Sequence, residues 1–311
     1  MMNFTNNNQP MIIGIDHGYG NCKTRNCCFK SGVAAYDKEP TFKENMLVYN
    51  NKYYVVGEEH KEFLSDKNED EDYYILTLAA IARELNIRHL TSARVHIAAG
   101  LPLSWVREQK DTFKEYLMKN ETADFIFKNI SYHIEIVSVD IFPQGFSAVA
   151  DRLREFKGVN MLADIGNGTM NIMYINECRP NENKCFTTKY GTNQCVLQIR
   201  ENIMRQFGTK VDDTVIERFI ITGKADINER YAKVIRDTAT EYVKGIFRIL
   251  REHEYAPELM RLYIVGGGGC MIRNFGSYDA SRVIINTDIC ATAKGYEYLA
   301  EIKLRRNGGA V

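Results

Sequence analysis

The sequence predicts an α/β protein of two lobes built to one plan, and three observations predict it. Each half runs through closely spaced strands and then crossover helices, the order of a mixed sheet flanked by helices. Two glycine-rich loops, each beside an aspartate that ends an apolar strand, recur ~150 residues apart, and a third glycine run follows ~100 residues later. At 311 residues the chain also exceeds the usual size of a single core. Identity between the halves is slight, so the duplication rests on plan and not on letters.

Residues 1–10, rich in Asn, read as a disordered tail. The runs 11–15 and 23–29 read as strands, and Asn50 and Asn51 turn a hairpin between 46–49 and 53–56. An acidic loop, 65–72, leads into a helix over 73–84, with Ile75, Leu78, Ala79, Ala82 and Leu85 at helical spacing. A strand over 94–102 stops at Pro102 and a helix follows over 104–118. Residues 125–130 and 134–139 make a strand pair, and Pro143 opens a helix through 156. The second half offers a hairpin over 161–175, a strand at 186–189, a helix over 193–207 and a short helix after Asp212 and Asp213. A long helix over 228–252 carries Ala232, Ile235, Ala239, Val243, Ile246 and Leu250 on one face. A strand at 262–265, the third glycine run, a strand at 282–286 and a helix over 289–304 close the chain. The lobes are expected at 11–155 and 156–290, with 291–311 returning to the first.

The loops carry the chemistry. In IIGIDHGYGNCKT an apolar strand feeds Asp16, then Gly18, Gly20 and Lys23; in MLADIGNGTMNIMYI Asp164 is followed by Gly166, Gly168 and Thr169. Glycine lets backbone N–H groups turn toward an anion with no side chain in the way, and Lys23 brings a cation to a phosphate oxygen. Each aspartate is placed to hold a hard cation such as Mg2+ through water. The run LYIVGGGGCMI puts Gly266, Gly267, Gly268 and Gly269 directly after a strand, a backbone bare enough to approach a flat base or ribose. Together they read as a split nucleotide clamp. There is no GxxxxGK[ST] and no GxGxxG. His17 reads as a turn residue and not as a base.

Composition excludes several classes. Forty basic and forty acidic residues cancel, leaving no global field to attract nucleic acid. No apolar run approaches the ~20 residues that span a bilayer, and the polar start lacks a signal-peptide core, so a cytoplasmic protein without membrane contact is expected. The eight cysteines form no CxxC and read as reduced thiols. The C-x6-C spacing of Cys178 and Cys185 does not suit a zinc knuckle.

The stretch DHGYGNCK from Asp16 resembles the first phosphate loop of the actin-like ATPases, DIGNGT from Asp164 resembles their second, and GGGGCM resembles their adenosine motif. Within that superfamily the chain is similar to the ParM/StbA plasmid-segregation group, through the segment after Asn50 and the run DDTVIERFIITG. The resemblance implies an actin-like two-lobe fold, each lobe a ribonuclease H-like mixed sheet flanked by helices, with a nucleotide cleft between them. It implies ATP or GTP with Mg2+, phosphates held by Gly18, Tyr19, Gly20, Asn21 and Lys23 and by Gly166, Asn167, Gly168 and Thr169. Asp16 and Asp164 would hold the metal through water, while Gly266 to Gly269, Met271 and Glu217 would lie at the nucleoside. Gln144 falls in the connecting segment and would orient the attacking water; Tyr19 stands where actin has serine. The implied function is a filament-forming ATPase that moves plasmid DNA through a ParR-like DNA-binding adaptor, with no direct contact to nucleic acid. The alternatives are a small-molecule kinase of the same fold class, which needs a catalytic carboxylate where Gln144 stands, and a non-polymerising nucleotide-dependent regulator.

Overall fold

The computed structural model describes residues 9–58 and 71–308, so most of the expected tail and of the acidic loop lies outside the described residues. The chain divides into two compact units. The first joins the described residues up to Asp151 with those from Cys290 on, and the second runs from Arg152 to Ile289.

Among the described residues the first unit holds nine strands: β1 (Met11–His17), β2 (Asn21–Lys23), β3 (Cys28–Lys30), β4 (Val33–Tyr36), β5 (Met46–Tyr49), β6 (Lys52–Val56), β7 (Ser92–Leu101), β8 (Thr122–Phe127) and β9 (Ile130–Pro143). They form one sheet in the order β3-β2-β1-β7-β9-β8-β5-β6-β4. Helices α1 (Asp72–Ile87) and α2 (Leu103–Leu117) lie in the same unit. The second unit contains β10 (Val159–Ile165), β11 (Met170–Asn176), β12 (Arg179–Thr188), α3 (Thr192–Phe207), α4 (Asp213–Thr222), α5 (Glu229–Glu252), β13 (Arg261–Val265), α6 (Gly269–Phe275) and β14 (Val283–Ile285). Its sheet runs β12-β11-β10-β13-β14. Helix α7 (Ala291–Gly308) belongs to the first unit.

The duplication is topological. In β3-β2-β1-β7-β9 and in β12-β11-β10-β13-β14, two antiparallel pairings are followed by two parallel ones. Strands β8, β5, β6 and β4 extend only the first sheet. Parallel neighbours end at the same edge, so the C-terminal ends of β1, β7 and β9 gather loop residues distant in sequence.

Several elements differ from the sequence reading for identifiable reasons. The strand expected over 23–29 is two strands joined by a turn in which Thr24 N donates to Cys27 O at 2.9 Å. The turn is held by Glu84 of α1, fully buried, which accepts from the Thr24 hydroxyl and from Asn26 N and Nδ2, both at 3.0 Å. No local pattern reports a partner 60 residues away. The second hairpin turns at Lys128 and Asn129, both left-handed (φ 51° and 62°), and not beyond Ile130. The helix expected through 156 is a 3-10 segment, Phe146–Glu155. Against it the backbones approach so closely that a Cβ on Gly295 of α7 would lie 1.7 Å from Ser147 O. Strand β4 and helix α6 were not expected.

Helix α1 is buried on every side from Tyr73 to Ala82, a central helix and not a one-faced one. Its residues pack with Ile13 and Ile15 of β1 and Ile97 of β7 in the first core. In the second core α5 buries Ala232, Ile235, Ala239, Val243, Ile246 and Leu250, the stripe read from the sequence. Among the described residues no helix is long and apolar enough to cross a membrane.

Candidate functional site

In the first unit Asp16 and Lys23 are direct cross-strand partners on β1 and β2. Lys23 Nζ lies 3.2 Å from Asp16 Oδ2, and Gln144 Nε2 donates to Asp16 Oδ1 at 3.0 Å. Asp16 is only 5% exposed, so its charge is held by a cation and an amide and not by bulk water. Gln144 reaches it because it follows the last residue of β9, its own N–H bonded to Leu101 O at 2.8 Å. The sheet order thereby brings together residues 128 positions apart.

The neighbouring side chain points the other way. His17, the last residue of β1, is fully buried, with Nε2 2.8 Å from Thr77 Oγ1 and edge-on contacts to Tyr73 and Phe113. It is a core strand residue and not the turn residue expected. The loop after it is tight: Gly18 N donates to Asp16 O at 3.0 Å, and a Cβ on Gly18 would lie 2.7 Å from Asn21 O. Ser31, unnoticed in the sequence, is fully buried and organises the loop from below. Its hydroxyl donates to Gly18 O at 2.6 Å and its N–H to Gly20 O at 3.2 Å. In a trans peptide the carbonyl and the following N–H point opposite ways, so Tyr19 N–H faces away from Ser31. The Tyr19 phenol is half-buried, and burial pushes its pKa up.

The second unit repeats the device. Asp164, the penultimate residue of β10, stands opposite Asn171, as Asp16, the penultimate residue of β1, stands opposite Lys23. Gly166 N closes the turn on Thr169 O at 2.9 Å. Three successive loop carbonyls turn to the start of α3: Gly166 O accepts from Thr192 N at 3.0 Å, Asn167 O from Asn193 N at 2.9 Å, and Gly168 O from Gln194 Nε2 at 3.2 Å. The N–H groups of Asn167, Gly168 and Thr169 therefore face the opposite side together, a concave set of donors of the kind that binds anions.

The third glycine run lies against this strand. Gly266 has φ +83°, and a Cβ there would lie 2.7 Å from Asp164 Oδ1 and 2.6 Å from Ile165 O, so only glycine fits. Gly268 N donates to Ile165 O at 2.9 Å. Gly267 is exposed, with nothing within 4 Å of an added Cβ, whereas Gly268 and Gly269 are buried. Met271 is fully buried in the core of the second unit. Glu217 is half-buried on α4, whose end is tied to α6 by Asn274 Nδ2 donating to Ile220 O and Ile221 O at 2.9 and 3.0 Å.

The structure thus gathers Asp16, Lys23, Gln144 and residues 18–21 in one unit, and Asp164, residues 166–169, Gly266 and Gly267 in the other. Each donor set by itself, a lysine cation beside turned glycine backbone in the first unit and three N–H groups in the second, has the chemistry to hold a phosphate. Among the described residues no three His, Cys, Asp or Glu side chains cluster to ligate a metal directly.

The duplicated sheet with its paired aspartate loops is an actin-like fold. Residues 14–146 match the family described as actin like proteins N terminal domain, and residues 162–275 match the archaeal actin homologue MreB-like C-terminal family. Both matched segments are thus similar to actin-like families, one on each side of residues 147–161. A comparison with curated proteins finds no match. The fold is similar to that of Ta0583, an archaeal actin homologue solved in complex with ADP, at 19% identity over 94% of this chain and 99% of that one, with a TM-score of 0.73. Bacillus thuringiensis ParM with ATP is 15% identical over 95% and 100% of the two chains, with a TM-score of 0.70. The Alp12 filament structure is 15% identical over 94% and 98%, with a TM-score of 0.66.

Proposed function

We propose that the chain is a filament-forming ATPase that binds ATP or GTP with Mg2+ through both aspartate loops and segregates plasmid DNA through a ParR-like DNA-binding adaptor. The observation that carries the reading is the repeat itself: the same strand-turn-strand, with an aspartate as the penultimate residue of its first strand at the same sheet position, occurs in both units. That Ta0583 was solved with ADP, a ParM with ATP and Alp12 as a filament supports it.

Lys23 and the N–H groups of residues 18–21 hold the phosphates from one loop, and those of Asn167, Gly168 and Thr169 hold them from the other. Asp16 and Asp164 hold the metal through water. When bound, Mg2+ neutralises charge on the phosphate oxygens. Gln144 is an amide and no strong base; with its N–H donated to Asp16, its oxygen is the group that accepts from and orients an attacking water. Gly266, Gly267 and Glu217 lie toward the nucleoside. Light scattering with sedimentation on adding Mg-ATP or Mg-GTP tests the reading. A rise that decays with phosphate release supports a dynamic filament. A flat trace with hydrolysis still present overturns polymerisation and points to a kinase or regulator.

A further inference from the structure

We infer that Gln194 and Tyr242 are positioning residues that aim the second loop's N–H groups at an anion, an inference that rests on the nucleotide-binding reading above. Gln194 is the third residue of α3, and its Oε1 accepts from Gly191 N at 2.9 Å, half of a capping box at the helix start. A cap needs only that acceptor. The other end of the same amide, Nε2, reaches out of the helix to Gly168 O. A carboxylate could make only the first bond and an ammonium only the second, so a neutral amide is the side chain that makes both.

The consequence falls on Thr169. Its N–H shares a rigid peptide plane with the Gly168 carbonyl, so pinning the oxygen aims the N–H. Gly191 is pinned in turn, since its carbonyl accepts from the Tyr242 hydroxyl at 2.7 Å. Tyr242 is 2% exposed on α5 and stacks on Tyr190 with ring centroids 4.4 Å apart. Gly191 itself presses on the loop: a Cβ there would lie 2.2 Å from Asn167 O. A continuous set of contacts therefore runs from the second core through Tyr242, Gly191 and Gln194 to Gly168. Each end of the Gln194 amide is bonded to a backbone group, Gly191 N at Oε1 and Gly168 O at Nε2, and its effect is assigned to the loop it holds.

The test compares Gln194→Glu and Tyr242→Phe with the wild-type chain, using a fluorescent ATP analogue with Mg2+ for affinity, melting temperature for folding, and steady-state hydrolysis. Gln194→Glu keeps the cap acceptor, so the start of α3 holds and the melting temperature falls by only a few degrees, while a carboxylate oxygen now faces Gly168 O. Its Kd rises about tenfold, the scale of one lost buried bond. KM rises with it while kcat at saturation holds, because the loop binds phosphate alike before and during reaction. Tyr242→Phe shifts Kd the same way by a smaller factor, and carries the test should Gln194→Glu fail to fold. Wild-type affinity in both folded variants overturns the inference and leaves the proposed function standing. A wild-type chain that binds no nucleotide overturns the proposed function and this inference with it.

Discussion

Replacing Asp140 with asparagine should destabilise the first unit by about 2 kcal/mol at neutral pH, and the loss should disappear in acid. Asp140 lies on β9 and is 8% exposed. Lys303 of α7 donates to its Oδ1, and His96 Nε2 is 3.2 Å from its Oδ2, within ion-pair reach but off hydrogen-bond alignment. Burial alone would push this carboxyl up; the contacts from His96 and Lys303 outweigh it and bring the pKa from 3.8 down to about 2. At about 1.4 kcal/mol per pKa unit, that difference is worth a little over 2 kcal/mol. Lys303 is 52% exposed, so salt screens part of this. The folded pKa is the depressed one, so the contribution is complete above the unfolded value of 3.8 and is lost as pH falls through about 2. Urea unfolding followed by the fluorescence of Trp105, the single tryptophan and a residue of α2 in the first unit, reads the right half of the chain. The wild-type-minus-variant stability should form a plateau above pH 5 and shrink toward pH 2. A deficit that stays constant across that range would trace to packing and refute the ion-pair argument, as would no deficit at pH 7.

Other outcomes follow from the loops. Asp164→Ala should abolish phosphate release by removing the proposed holder of the metal in the second unit; full activity would sink the assignment. Gln144→Ala should slow hydrolysis about a hundredfold while nucleotide binding and assembly persist, and a variant unable to bind nucleotide would give Gln144 a different role. Gly266→Ala forces a Cβ to φ +83° and to within 2.7 Å of Asp164 Oδ1. It should cost about 1–3 kcal/mol of stability and weaken nucleotide binding, measured by melting and by titration.

Both aspartate loops, the α5 stripe and the Asn50-Asn51 hairpin were legible in the sequence, because each is written in a local pattern. Short-range sterics and hydrophobic period act between near neighbours, and a single sequence displays them directly. Where partners came from afar, the reading failed or went silent. The turn at Thr24 depends on buried Glu84, and the first loop on Ser31. The burial of His17 and of Met271 was set by which face of a strand or helix met the core. Gln194 looked like any helix-start residue until the fold brought Gly168 to it. Sequence by itself determined which residues form the two aspartate loops and in what order; tertiary structure alone decided that Lys23 and Gln144 share Asp16. The physical reason is that parallel strands end at one edge, and only the sheet order says which ends are neighbours.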